Sequence, residues 1–164
     1  MITDFLLEHA ALVPIALLLI AVACAGLGHV LLRTGRTGWL WAAVVVTAVP
    51  VLVLTLAPGG PGAFQRCAVQ FALPRLGSVE LLANVALLLP VTLFAALATR
   101  RPWLMFAAGT ALSAAIEALQ ALITAIGRAC DTNDWAMNTL GALVAAAIAW
   151  ALLAGAKGRR PTCR

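Results

Sequence analysis

Seven carboxylates and carboxamides stand at spacings that could do chemistry together. Ser113, Glu117, Gln120 and Thr124 follow at steps of four, three and four residues. At about 100° per residue they share one narrow helical face. Glu80 and Asn84 are i, i+4 neighbours, and Asp131, Asp134 and Asn138 stand at i, i+3 and i+7, with Arg128 just before them. A positioned carboxyl group can act as a general acid or base, which makes Glu117, Asp131 and Asp134 the catalytic candidates. Arg128 has the planar fork that clamps a phosphate. Two aspartates could share a divalent ion, but without further ligand spacing no metal site or other cofactor is expected.

These residues lie in a very apolar chain. Of 164 residues, 63% are hydrophobic and 10% charged, and the mean hydropathy is +1.03. Soluble domains carry about 25% charged residues. The composition therefore specifies an integral membrane protein, a single membrane domain over residues 1–164. Spanning helices need roughly 20 apolar residues. Five runs meet or approach that length: Ala10–Leu32, Trp39–Leu56, Leu81–Thr99, Trp103–Ile126 and Trp135–Ala154. None alternates as a barrel strand does, and lipid leaves open backbone groups unsatisfied, so the fold class is all-α: a polytopic bundle of five transmembrane helices. The stretch "LIAVACAG" around Cys24 resembles a lipoprotein cleavage site. Met1–Ala10 has no Lys or Arg, so a retained first helix is expected instead.

Basic residues orient the spans. Arg33, Arg36, Arg100, Arg101, Lys157, Arg159, Arg160 and Arg164 alternate onto one side, against Arg66, Arg75 and Arg128 on the other. Eight against three predicts an outside N-terminus and a cytoplasmic C-terminus in the cell membrane. The net charge of +5 is mostly this bias facing anionic lipid; no basic stripe with interleaved aromatics points to nucleic acid. Cys67 and Cys130 then fall in outward loops, where they could form a disulfide or stand as two small buried thiols. His29 reads as packing, and the five tryptophans mostly as interface anchors.

On this topology the polar groups gather in the outer half of the bilayer. With the fourth span ending near Ile126, Glu117 lies about 13 Å below its outer end. The third, fourth and fifth helices are expected to turn these faces together as an outward pocket with Glu117 at its floor. The segment "FQRCAVQFALP" puts Phe64, Cys67 and Phe71 at helical spacing and reads as a short interfacial helix ended by Pro74, or as a re-entrant one.

Three blocks also carry a family resemblance: "ELLANVALLLP" (Glu80–Pro90), "SAAIEALQ" (Ser113–Gln120) and "GRACDTNDWAMNTLGAL" (Gly127–Leu143). In order and spacing they resemble the signature of VanZ-like membrane proteins, with a core over about residues 80–147. Glu80 stands where Asp is more usual, and "LPVTL" replaces the common Pro-Leu-Gly. The resemblance implies a small envelope protein linked to low-level resistance to teicoplanin-type glycopeptides, with no reaction carried over.

Three functions follow as expectations. In the first, Glu80, Asn84, Ser113, Glu117, Gln120, Arg128, Asp131, Asp134 and Asn138 form a non-catalytic site. Its ligand would be a membrane lipid, a lipid-linked wall precursor or a lipoglycopeptide. In the second, the same pocket is an intramembrane enzyme acting on a lipid-linked substrate. In the third, the protein is a scaffold or small transporter subunit whose carboxylates relay protons. Each residue also has a purely structural reading. Glu117 can be a neutral acid bonded to Gln120 or Asn84; Ser113 and Gln120 can join helices; Asp134 can cap the fifth span.

Overall fold

A computed structural model of the chain describes residues 10–56, 67–71, 78–123, 127 and 130–157. One 3-10 turn, Ala10–Leu12, leads into α1 (Val13–Arg33). Then come α2 (Thr37–Leu56), a two-residue strand β1 (Cys67–Ala68), α3 (Val79–Thr99), α4 (Pro102–Leu122), a second two-residue strand β2 (Cys130–Asp131) and α5 (Thr132–Lys157). All five helices are long and apolar enough to cross a membrane. Pro50 and Pro90 sit inside α2 and α3, which transmembrane helices tolerate because neighbours re-satisfy the freed backbone groups.

Helix α3 is the hub. It packs against each of the other four helices, most extensively against α5. It is apolar around its circumference, as a helix surrounded by protein must be: Leu88, Leu89, Leu93, Phe94, Ala96 and Leu97 are all fully or almost fully buried. Helix α5 meets it with small residues. Ala142, Ala145, Ala146 and Ala149 have no exposed surface. A Cβ at Gly141 would overlap the carbonyl group of Val85. Association in lipid depends on close packing, and small residues permit it. Gly28 serves α1 similarly, lying against Leu97 and Phe94.

Two tight turns reverse the chain at one end of the bundle. Gly35 takes a left-handed conformation (φ 67°) between α1 and α2, and Arg100 does so (φ 57°) between α3 and α4. This end carries Arg33, Arg36, Arg100 and Arg101. The loops holding β1 and β2 lie at the opposite, loop end.

Three expectations are corrected here. The described part of the supposed interfacial helix is extended: Cys67–Ala68 is a strand and residues 69–71 are not helical. Its backbone bonds are made with β2 and α5 rather than within the segment. Phe64 and Pro74 fall outside the described residues. Helix α4 ends at Leu122, not Ile126, so Glu117 lies about 7.5 Å from the helix end and not 13 Å. The fifth helix starts at Thr132, which puts Asp134 inside its first turn rather than at the cap.

Candidate functional site

Cys67 and Cys130 are joined by a disulfide, and the strands around them pair in parallel, Cys67 with Cys130 and Ala68 with Asp131. The bond fastens the α2–α3 loop to the start of α5. Gln70 extends the junction. Its N–H donates to Thr132 Oγ1 (2.9 Å), and Thr132 Oγ1 donates in turn to the Gln70 carbonyl (2.7 Å).

The N-terminus of α5 organises the acids. Asp131 Oδ1 accepts from the Asn133 N–H at 2.8 Å, which makes Asp131, not Asp134, the side-chain cap. Its Oδ2 accepts from Gln70 Nε2 at 2.5 Å. The Asp131 N–H donates to Glu117 Oε2 of α4 at 2.7 Å. Asp134, in the first turn, accepts from Asn84 Nδ2 of α3 at 2.5 Å. The first turn of a helix presents unpaired N–H groups and the positive end of its dipole. Three carboxylates can therefore gather at this point. Glu117, Asp131 and Asp134 are all half-buried, and Glu117 Oε1 accepts from no described residue.

Not every expected member joins this cluster. Gln120 is buried and turns to α2, donating to the Thr55 carbonyl at 3.0 Å. That carbonyl is one of the last four of α2, which no helical N–H can reach. Thr55 Oγ1 donates to Val51 O at 2.6 Å. Gln120 is thus a tie between helices. Glu80 is exposed at the start of α3, outside the network. Arg128 and Thr124 lie outside the described residues.

Below the cluster runs a polar seam between α4 and α5. A Cβ at Gly109 would meet Ala142 at 3.1 Å. Counted antiparallel from that contact, Ser113 lies level with Asn138, and Glu117 with Asp134. Ser113 and Asn138 are 0% and 2% exposed. Ser113 Oγ, Asn138 Oδ1, Thr110 Oγ1, Thr139 Oγ1 and Trp135 Nε1 are all buried without a hydrogen-bond partner among the described residues. Such groups are costly in lipid.

Sequence reasoning missed Gln70, Thr132, Thr55, Thr110 and Thr139. Thr110 was within reach, since 110, 113 and 117 continue one face. Gln70 and Thr132 follow from the strand register once the two cysteines are bonded. Thr55 depends on how α2 packs and had no sequence signal. Among the described residues no three His, Cys, Asp or Glu side chains are grouped to hold a metal.

Fold and site together define a class: a five-span helical membrane protein with a stapled, acidic polar cluster at one membrane boundary. The VanZ/LLP1 family model matches residues 61–154, more than half the chain, and the chain belongs to that family. The match takes in α3, α4 and most of α5, the three helices that supply the cluster, and leaves out α1 and α2. No curated protein and no solved structure matches the chain.

Proposed function

We propose that this protein is a non-catalytic component of the cell envelope. Its loop end faces outward and binds the polar part of an amphiphile: a membrane lipid, a lipid-linked wall precursor or a teicoplanin-type lipoglycopeptide. Binding there lowers drug access to its target. The observation that carries this reading is the convergence of Asn84, Glu117 and Asp134 from three helices, with Asp131 of β2, at one end of the bundle. The disulfide supports an extracytoplasmic position, because such bonds persist in oxidising compartments. The basic turns at the other end support the same orientation.

Both Asp131 oxygens are engaged in holding the backbone and Gln70, which argues against that residue as an acid or base. Glu117 keeps one oxygen uncommitted among the described residues, so the enzyme alternative rests on it and on Asp134.

The test compares wild-type protein with Glu117→Gln in lipid nanodiscs, titrated with a lipid-linked wall precursor and with teicoplanin. Saturable binding without turnover, weakened in the variant, supports the receptor. Turnover lost in a folded variant supports the enzyme. No binding and no turnover in either protein leaves a purely structural cluster and overturns the proposal.

A further inference from the structure

An apolar cleft lies at the turn end, away from the acidic cluster. Helices α1 and α2 both pack on α3 and touch each other only slightly. Between them is a cavity of about 410 Å³ lined by Cys24, Leu27, Leu31, Trp39, Ala43 and Val46, among others, with Phe94 of α3 also on its wall. Its walls run from Ala23 to Leu31 on α1 and from Trp39 to Thr47 on α2, about 12 Å of helix on each side.

Length identifies the occupant. A partner transmembrane helix crosses the whole hydrocarbon layer, about 30 Å, whereas a lipid tail occupies one leaflet, about 15 Å. At about 12 Å the cavity matches the depth of one leaflet and not of two. It starts at the turn that joins the two helices and stops halfway along them. That turn holds Arg33 and Arg36, both exposed, with exposed Trp39 one helical turn beyond. Trp39 is the residue type that anchors at headgroup level, and arginine pairs with phosphate oxygens through its planar fork. Arg33 also sits in the last turn of α1, where its charge complements the helix dipole. That role needs neither Arg36 nor a cavity.

We propose that the α1–α2 cleft is a binding site for one anionic phospholipid. An acyl chain lies in the cleft against Phe94, and Arg33 and Arg36 hold the headgroup phosphate. The site is separate from the acidic cluster and from the family-matched helices, except for its wall on α3. It would place a lipid of the opposite leaflet against the hub of the bundle.

The experiment is native mass spectrometry of the full chain released from detergent, with phosphatidylglycerol or phosphatidylcholine of identical acyl chains. Wild type should retain phosphatidylglycerol preferentially. Each basic residue near an anionic headgroup contributes about fivefold in affinity, so Arg33→Gln/Arg36→Gln should lower that preference at least fivefold. Arg100→Gln/Arg101→Gln, at the other turn of the same end, should leave it unchanged. Ala42→Phe, at an exposed lining position, should reduce retention of both lipids. Monodisperse elution confirms that each variant is folded. A folded Arg33/Arg36 variant that keeps the full preference overturns the proposal, and so does an Ala42→Phe protein that retains lipid as wild type does. Equal loss of preference in the Arg100/Arg101 variant reduces the effect to general surface charge and also overturns it.

Discussion

The bond from the Asp131 N–H to Glu117 joins α4 to the start of α5, and two substitutions isolate its contribution. Glu117→Ala removes the acceptor and leaves a half-buried N–H to find another partner. Glu117→Gln keeps an acceptor oxygen at the same place. Both variants also remove an ionisable carboxyl that lies within electrostatic reach of Asp131 and Asp134. That loss is common to the two, so the difference between them reads the bond. Hydrogen bonds to charged groups contribute about 1.5–3 kcal/mol and neutral ones about 0.5–1.5. At 2.7 Å the bond is well formed. Glu117→Gln should therefore stay within about 1 kcal/mol of wild type, and Glu117→Ala should fall about 1 kcal/mol below Glu117→Gln, the scale of a neutral hydrogen bond. For a chain of this size that separates their melting temperatures by roughly 2–4 °C. The assay is thermal unfolding in detergent under non-reducing conditions, which keeps the Cys67–Cys130 bond in both variants. Melting temperatures within a degree of each other would refute the reasoning: Glu117 would then not be holding the start of α5.

Cys67→Ser should change mobility on a non-reducing gel. It should also destabilise the protein by up to about 4 kcal/mol, the chain-entropy value for closing a loop of 63 residues; preformed helices in the unfolded chain reduce that figure. Unchanged mobility would remove the disulfide from the account. Gly141→Ala should sharply reduce monodisperse protein on size exclusion, because its Cβ would overlap the Val85 carbonyl and not a side chain that can move. Normal elution would mean that α3 and α5 are not in close contact there. Gln120→Leu should cost about 1 kcal/mol in thermal stability, the usual scale for a hydrogen bond between transmembrane helices, and should leave ligand binding at wild-type level. Weaker binding would return Gln120 to the site. In a Cys24→Ser/Cys163→Ser background, which leaves only the disulfide cysteines, Arg36→Cys should react with an impermeant thiol reagent only after the membrane is opened. Labelling of intact cells would reverse the proposed orientation.

The five spans were legible in the chain itself. Hydrophobic run length is a one-dimensional quantity set by bilayer thickness, and the described helices begin within three residues of the expected starts. The three signature blocks were legible too, since order and spacing are properties of the string, and the family match rests on the same region. What each polar residue does depended on the tertiary structure. Helical periodicity put Ser113, Glu117 and Gln120 on one face, yet they have three different surroundings. Glu117 meets the N-terminus of α5, Gln120 reaches an orphan carbonyl of α2, and Ser113 is fully buried with no hydrogen-bond partner among the described residues. A face of a helix in a bundle spans several neighbours, and only the packing of those neighbours decides which side chain meets which. The strand at Cys67 shows the same limit. Its local pattern favours a helix, but a disulfide and hydrogen bonds to residues more than sixty positions away outweigh it.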